Sequence, residues 1–309
     1  MARTLRAAPS GLRITIRFLS GASRRPSSGC SGQASTRARS RVHPPLIRSP
    51  VRQIMAANTT RRFCIFCGGR DVTKEHVLPQ WISRTFARLG PGTFDLEMVN
   101  NSGLRKPLRW TNEKAIELTV KVVCKSCNEG WMAALESETI PILTPLIKGE
   151  PRRLDSPAGK VLAAWTFKTT LLAEYAYPEA PHFSIDEAAS LYRDHKVPSM
   201  AVQIGAYQGS EYSLRHKMGR LGLVGDRGGQ YRGCTSTFVI GHCLLHLFSA
   251  RFPQITESAE VAYPPEFIER LIQVWPAPEA SVQWPPPTLF AYSDLANLER
   301  WPPVLDENQ

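Results

Sequence analysis

Two cysteine pairs of identical spacing, Cys64-Ile65-Phe66-Cys67 and Cys124-Lys125-Ser126-Cys127, limit what this chain can fold into more than any other feature of its 309 residues. Two thiols separated by two residues reach one ion from a single tight turn whose backbone amides point toward the sulfurs. Two such turns brought together form a four-sulfur tetrahedral site, the geometry zinc prefers in closed structural centres. The chain must then return on itself across the 56 residues, 68–123, between the pairs. That separation exceeds the spacing of a minimal zinc ribbon, and two unrelated pairs or a redox dithiol stand as the competing readings. The other cysteines, Cys30, Cys234 and Cys243, lie outside the pattern and read as incidental or buried thiols.

The formal net charge of +11 suggests a nucleic-acid binder until it is divided along the chain. Residues 1–62 hold 13 Arg, no Lys and no acid, the first acid being Asp71. Of the 38 basic residues 25 remain, against 27 acidic ones, a net of −2, so a basic-patch argument for the whole protein fails. Segment 1–54 is rich in Arg, Ser and Pro, has too little apolar surface to offset its chain entropy, and is predicted to be disordered. Its composition resembles that of a mitochondrial transit peptide. A translation start at Met55 behind a spurious extension, and an authentic basic arm, are the other two readings. No run reaches the roughly 18–20 apolar residues of a spanning helix; the nearest, 237–250, is shorter and contains His242 and His246. The expectation is a cytoplasmic protein without a membrane partner, or a mitochondrial one if residues 1–54 are a transit peptide.

Residues 62–148 read as one compact module anchored by the cysteines, and 149–159 (GEPRRLDSPAG) as a connection marked by Pro and Gly. A second region, 160–300, opens on VLAAWTFKTTLLAEYA, whose Leu162, Trp165, Leu172 and Tyr175 recur at helical spacing and predict an amphipathic helix. Pro178 and Pro181 break it. Ser184 followed by Glu187 is a capping-box signal for a helix over 185–194. The β-branched and aromatic runs 199–206, 212–223 and 236–246 predict strands, with GDRGGQYRG as the clearest turn. A small antiparallel sheet with helices on one face follows from these, and the proline-dense run from Tyr263 is expected to wrap over it in extended form. The fold class is α+β.

Between the cysteine pairs lies Thr73-Lys74-Glu75-His76-Val77-Leu78-Pro79-Gln80-Trp81, a carboxylate and an imidazole side by side on a short strand that turns at Pro79. Directly after the second pair, Asn128 begins a run, NEGWMAALESE, that reads as a helix. In order and in most residue types this pattern resembles the HNH endonuclease family over residues 62–136: a cysteine pair, an acid-His-apolar-apolar-Pro stretch, a second pair, and a His or Asn behind it. KEHVLPQW and CKSCNEGWM also look like a group of uncharacterised bacterial HNH-like proteins. The resemblance implies a ββα-metal module and metal-dependent hydrolysis of phosphodiesters in nucleic acid, DNA in the first instance. It implies that His76 is the general base and that Glu75 and Asn128 are ligands of a catalytic divalent ion, Mg²⁺ or another hard cation. Cys64, Cys67, Cys124 and Cys127 would then hold a structural zinc.

The chemistry is coherent, since a bound cation offsets the charge developing on phosphorus oxygens while a histidine accepts a proton from water. The chain also departs from the family. Where an Asn a few residues before the second pair orients the base, this sequence has Glu117-Leu118-Thr119-Val120, and the nearest Asn is Asn112. A catalytically degenerate zinc module that binds nucleic acid or protein is the alternative.

Each of these residues also has a plainer reading. His76 could cap a hairpin or neighbour the zinc site, and Asn128 could cap a helix. Glu136 lies eight helical residues from Asn128, about 80° round an ideal helix, and is expected to be surface charge. Trp131 reads as core, packing its helix on the zinc lobe. His242 and His246, four apart on one predicted strand, are expected to share a face as a partly buried structural pair rather than a metal site. Arg105, Lys106, Arg109, Lys121 and Lys125 could meet phosphates, with a solvated face as the default.

Overall fold

In a computed structural model that describes residues 63–87, 94–99, 105–110, 118–176, 180–210, 213–224, 230–251 and 265–300, the chain returns on itself as the cysteine spacing requires. The first pair leads into strand β1 (Val72–His76), which turns at Pro79 into helix α1 (Gln80–Ala87). Strand β4 (Thr119–Cys124) pairs antiparallel with β1 and ends on the second pair. The residues between them contribute a hairpin, β2 (Phe94–Val99) with β3 (Arg105–Trp110), described here by its backbone.

After Cys124 the chain is helical almost without a break. A single turn, α2 (Lys125–Cys127), passes through a π turn (Asn128–Met132) into α3 (Ala133–Ile147), which runs on through Pro141 and Pro145. Gly130 (φ −95°, ψ −109°) kinks this rod. After strand β5 (Arg152–Leu154) comes α4 (Ser156–Glu174), capped by the Asp155 carboxylate, which accepts from the Ala158 amide at 2.9 Å. Residues 162–174 of α4 are all buried. The amphipathic helix expected from the spacing is therefore buried all round, because it is sandwiched between the sheet and the cysteine-bearing lobe. Gly159 permits this: a Cβ there would lie 2.7 Å from the Val274 carbonyl oxygen. Helix α5 (Ile185–Asp194) has the predicted capping box, with Ser184 and Glu187 bonding reciprocally.

The sheet differs from expectation in several respects. It has seven strands, ordered β10-β6-β9-β8-β7-β2-β3, where β6 is Ala201–Ala206, β7 Leu214–Val224, β8 Gln230–Ile240, β9 Cys243–Arg251 and β10 Ile272–Trp275. It takes β2 and β3 from between the cysteine pairs, and β2 runs parallel to β7 while the other pairings are antiparallel. The predicted strand 236–246 is two strands, because Gly241, with φ +57°, opens a two-residue loop between Ile240 and Cys243. Helices lie on both faces. The Phe238, Ile240 and Leu245 side belongs to a core that runs through Trp165 and Phe167 of α4 to Ile65 and Phe66 of the first cysteine turn. On the opposite side, Val239, Leu244 and Phe248 pack under Phe267 of α6 (Pro265–Ile268) and Leu295 and Leu298 of α7 (Tyr292–Arg300).

The C-terminal run is not an extended wrap. It supplies β10 as the sheet's edge strand, β11 (Val282–Trp284) paired with β5, and the two helices α6 and α7. The class is α+β, as the sequence predicts. Segment 1–54, Cys30, Met55, Asn112 and Glu117, and the centre of the GDRGGQYRG turn lie outside the described residues. Among the described residues no helix is long and apolar enough to cross a membrane.

Candidate metal centre and the buried charges beside it

Cys64, Cys67, Cys124 and Cys127 converge, with all four sulfurs within 4.8 Å of one another. The first turn is held by backbone bonds from the Cys64 amide to the Gly69 carbonyl (2.7 Å) and from the Gly68 amide to the Cys64 carbonyl (2.9 Å). Gly68 adopts φ +71°, a conformation that favours glycine. The Gly69 amide then donates to Cys67 Sγ at 3.3 Å. The second turn lies at the end of β4, with Cys124 the extended residue that caps the helical rod. The turns are locked together by the Ile65 amide donating to the Val122 carbonyl (3.0 Å).

Cys67 Sγ and Cys124 Sγ are 3.5 Å apart. Sulfurs at about 2.3 Å from a tetrahedral zinc lie about 3.8 Å from each other, so the cluster could hold a metal ion such as zinc with small adjustments. Burial raises the pKa of Cys127, helped by the neighbouring thiols, and burial likewise raises that of Cys67. At Cys124 burial works in the same direction but is outweighed by the Cys127 backbone N–H and the adjacent thiols, and its pKa is lowered. A cation among the sulfurs would favour their thiolate forms and offset the burial that holds Cys67 and Cys127 protonated.

Trp131 packs edge-on against Phe66 (4.9 Å between ring centroids) and reaches Tyr192 of α5 at 6.1 Å, which joins the cysteine-bearing lobe to the rest of the protein as expected of a core residue.

Behind the lobe lies a group of charges that the sequence reading did not assemble. Glu75 is only 6% exposed, and His76, next to it, is half-buried. Neighbouring residues of a strand project to opposite faces, so the pair diverges from β1. The Glu75 carboxylate hydrogen-bonds to nothing among the described residues. Its pKa is pushed up to about 7, by burial first, with Lys168 pulling it down and Glu136 pushing it up. Lys168, on α4, is 0% exposed; its ammonium donates to Glu136 Oε1 at 3.0 Å and lies 5.7 Å from the Trp165 ring centroid.

Glu136 is therefore not free surface charge. Between Asn128 and Glu136 the π turn and the non-helical Gly130 interrupt the ideal helix on which a separation of about 80° depends. Lys168 was missed although a signal existed, since it is three residues past Trp165 and four before Leu172, on the apolar stripe.

Asn128 does not begin the helix. Cys124 caps it, and Asn128 sits inside the rod, with its amide donating to the Lys125 carbonyl. No hydrogen bond joins its side chain to Glu75 among the described residues. The expected histidine pair also separates. His242 is in the β8–β9 loop, with Nδ1 3.0 Å from the Tyr207 carbonyl oxygen, while His246 is buried with Nδ1 2.8 Å from Thr237 Oγ1. Lys121 and Lys125 are exposed, and Lys125 lies 3.7 Å from Glu129; Arg105, Lys106 and Arg109 are on β3, whose side chains lie outside the described residues.

No protein-family model matches the chain, and no curated protein or solved structure matches it significantly.

Proposed function

We propose that the chain is a metal-dependent nuclease of the HNH type, hydrolysing phosphodiester bonds in nucleic acid, with DNA as the first substrate class, around a structural four-cysteine zinc. One observation carries the reading. The Glu75-His76 dipeptide lies on the strand that follows the first cysteine turn, paired with the strand that ends in the second, and its carboxyl group is buried within electrostatic reach of Lys168 and Glu136.

In this reading His76 takes the proton of the attacking water, a role an imidazole fills near neutral pH. Glu75 would hold a hard divalent ion such as Mg²⁺, with Glu136 or Asn128 as further oxygen donors; carboxylate and amide oxygens suit such an ion better than they suit zinc. Bound there, the ion would supply charge stabilisation at the phosphorane and the leaving oxygen. The four cysteines would take no part in the reaction, because four sulfur ligands leave a tetrahedral ion no open position. Their work is to fix β1 and β4 in register.

A second reading has its own support. Lys168 already provides a cation to the carboxylates, which suits a zinc module that binds nucleic acid or protein without cutting it.

Plasmid and single-strand cleavage by the zinc-loaded chain, in Mg²⁺, Mn²⁺ or chelator and beside a His76→Ala variant of equal zinc content, separates the two. The nuclease reading expects metal-dependent cleavage that falls about 10²- to 10⁴-fold in the variant. Folded, zinc-loaded and equally inert proteins would leave the binding module as the better account.

A further inference from the structure

One edge of the four-sulfur cluster is open. Cys64, Cys124 and Cys127 are buried, while Cys67 is exposed, so a solute meets the cluster first at Cys67. Across the gap between the two cysteine turns Cys67 Sγ stands 3.5 Å from Cys124 Sγ. Gly69 leaves that same edge uncovered. A Cβ at this position would lie 3.1 Å from Cys67 Sγ and 3.9 Å from Cys124 Sγ, and would meet nothing else within 4 Å beyond its chain neighbours. Gly68, with φ +71°, is a glycine that its backbone favours, whereas the backbone of Gly69 lies outside the left-handed region. The opening at Gly69 is therefore made by the missing side chain and not by the path of the chain.

We infer that Cys67 and Cys124 form an oxidative modification site, at which a small hydroperoxide joins the two cysteine turns by a disulfide. Cys67 attacks as the thiolate, the form in which a metal ion holds a cysteine. Its sulfur takes the terminal peroxide oxygen, the O–O bond breaks, and Cys67 becomes a sulfenic acid while water or an alcohol leaves. The Cys124 thiolate then attacks that sulfur: the S–S bond forms, the S–O bond breaks, and the hydroxyl departs as water with a proton from solvent. Between them the two thiols give up two electrons and two protons, and hydrogen peroxide becomes two waters. Closing the bond takes the sulfurs from 3.5 Å to about 2.05 Å. An ion held by the four cysteines loses two of its ligands in the same event, so the cross-link and a bound ion exclude each other. The disulfide spans the gap already bridged by the Ile65 amide and the Val122 carbonyl, and so ties together the turns that flank β1 and β4. A disulfide within either turn would leave the two turns unconnected. None of this depends on whether the chain cuts nucleic acid.

The test treats the reduced, zinc-loaded full chain with hydrogen peroxide, blocks the remaining thiols, and maps disulfides by mass spectrometry after trypsin. Lys125 lies between Cys124 and Cys127, so cleavage there puts the two cysteines on different peptides. One dominant cross-link, Cys67 to Cys124, is expected, forming at the rate at which a chromogenic chelator records zinc release. A sulfenic-acid trap present from the start should label Cys67 before any other cysteine of the cluster. Gly69→Ala keeps every cysteine and covers the open edge; at equal zinc content it is expected to slow the cross-link about fivefold or more. Dominant Cys64–Cys67 or Cys124–Cys127 disulfides, first labelling at Cys64, Cys124 or Cys127, or a Gly69→Ala chain that reacts as fast as the wild type would each overturn the inference. If Gly69→Ala takes up less zinc, the disulfide map and the order of labelling in the wild type decide.

Discussion

Glu75 concentrates a conflict in one residue, because burial favours its neutral form while the neighbouring ammonium favours the charged one. Burial wins, and the carboxyl titrates at about 7 against an ordinary value of 4.5. The sign of the linkage follows: the folded chain keeps a proton there that the unfolded chain has released. That contribution to stability is complete below pH 4.5 and is lost as pH rises to 7. Glu75→Gln, measured zinc-loaded and without other divalent ions, is therefore expected to melt above the wild type at pH 8 by several degrees, with little or no gain at pH 4.5. An equal difference at both pH values would show that the ionised form of Glu75 is not the cause. The residues of the cysteine cluster were legible in the sequence because their spacing is a local fact. Glu136 and Lys168 were not, because which residues meet them depends on a helix kink and on the position of α4.

Among the elements, β7, β8 and β9 carry the main acid liability. His216 on β7 is stacked on Phe238 (4.2 Å between centroids) with Nε2 3.0 Å from Ser236 Oγ, and Thr170 of α4 donates to that same hydroxyl at 3.1 Å. His246 on β9 is equally buried, against Thr237. Burial lowers both imidazoles to about 3 from an ordinary 6.5. The unfolded chain then binds protons that the folded chain refuses, so stability is full above pH 6.5 and falls as pH drops toward 3. Each histidine costs about 2 kcal/mol at pH 5. Urea midpoints taken between pH 7 and pH 5 should fall accordingly, and His216→Phe should flatten part of that decline. A slope unchanged by the substitution would remove His216 from the account. Elements set by local signals matched the sequence reading, as the capping box of α5 shows. The β8–β9 hairpin did not, because an unbroken apolar run looks the same whether it is one strand or two, and only the left-handed Gly241 marks the reversal.

At the scale of the whole molecule, the cysteine-bearing lobe and the sheet have no separate interiors. The same core holds Phe66 of the first cysteine turn, Trp165 of α4 and Phe238 of β8, and the β2–β3 hairpin, though it lies between the cysteine pairs in sequence, extends the sheet beside β7. Loss of metal should therefore be felt throughout. Structural zinc contributes about 10 to 16 kcal/mol in small zinc peptides, more than most domains have in reserve. Chelation, or a Cys64→Ser with Cys127→Ser double variant, is expected to remove sheet as well as lobe structure, in one transition followed by near- and far-ultraviolet circular dichroism. A chelated protein that keeps its sheet, with loss confined to the lobe, would show two independently stable units.

The sequence alone determined the features that depend on neighbours along the chain: the two thiol turns, the strand-borne Glu75-His76 pair, the cap of α5 and the α+β class. Only the tertiary structure decided that α4 is buried on every side, that the segment between the cysteine pairs joins the sheet, and that Glu75 comes within electrostatic reach of Lys168 and Glu136. The physical reason is that spacing and capping act over a few residues of backbone. Burial and charge pairing are properties of distant segments brought together, and these set the protonation of Glu75.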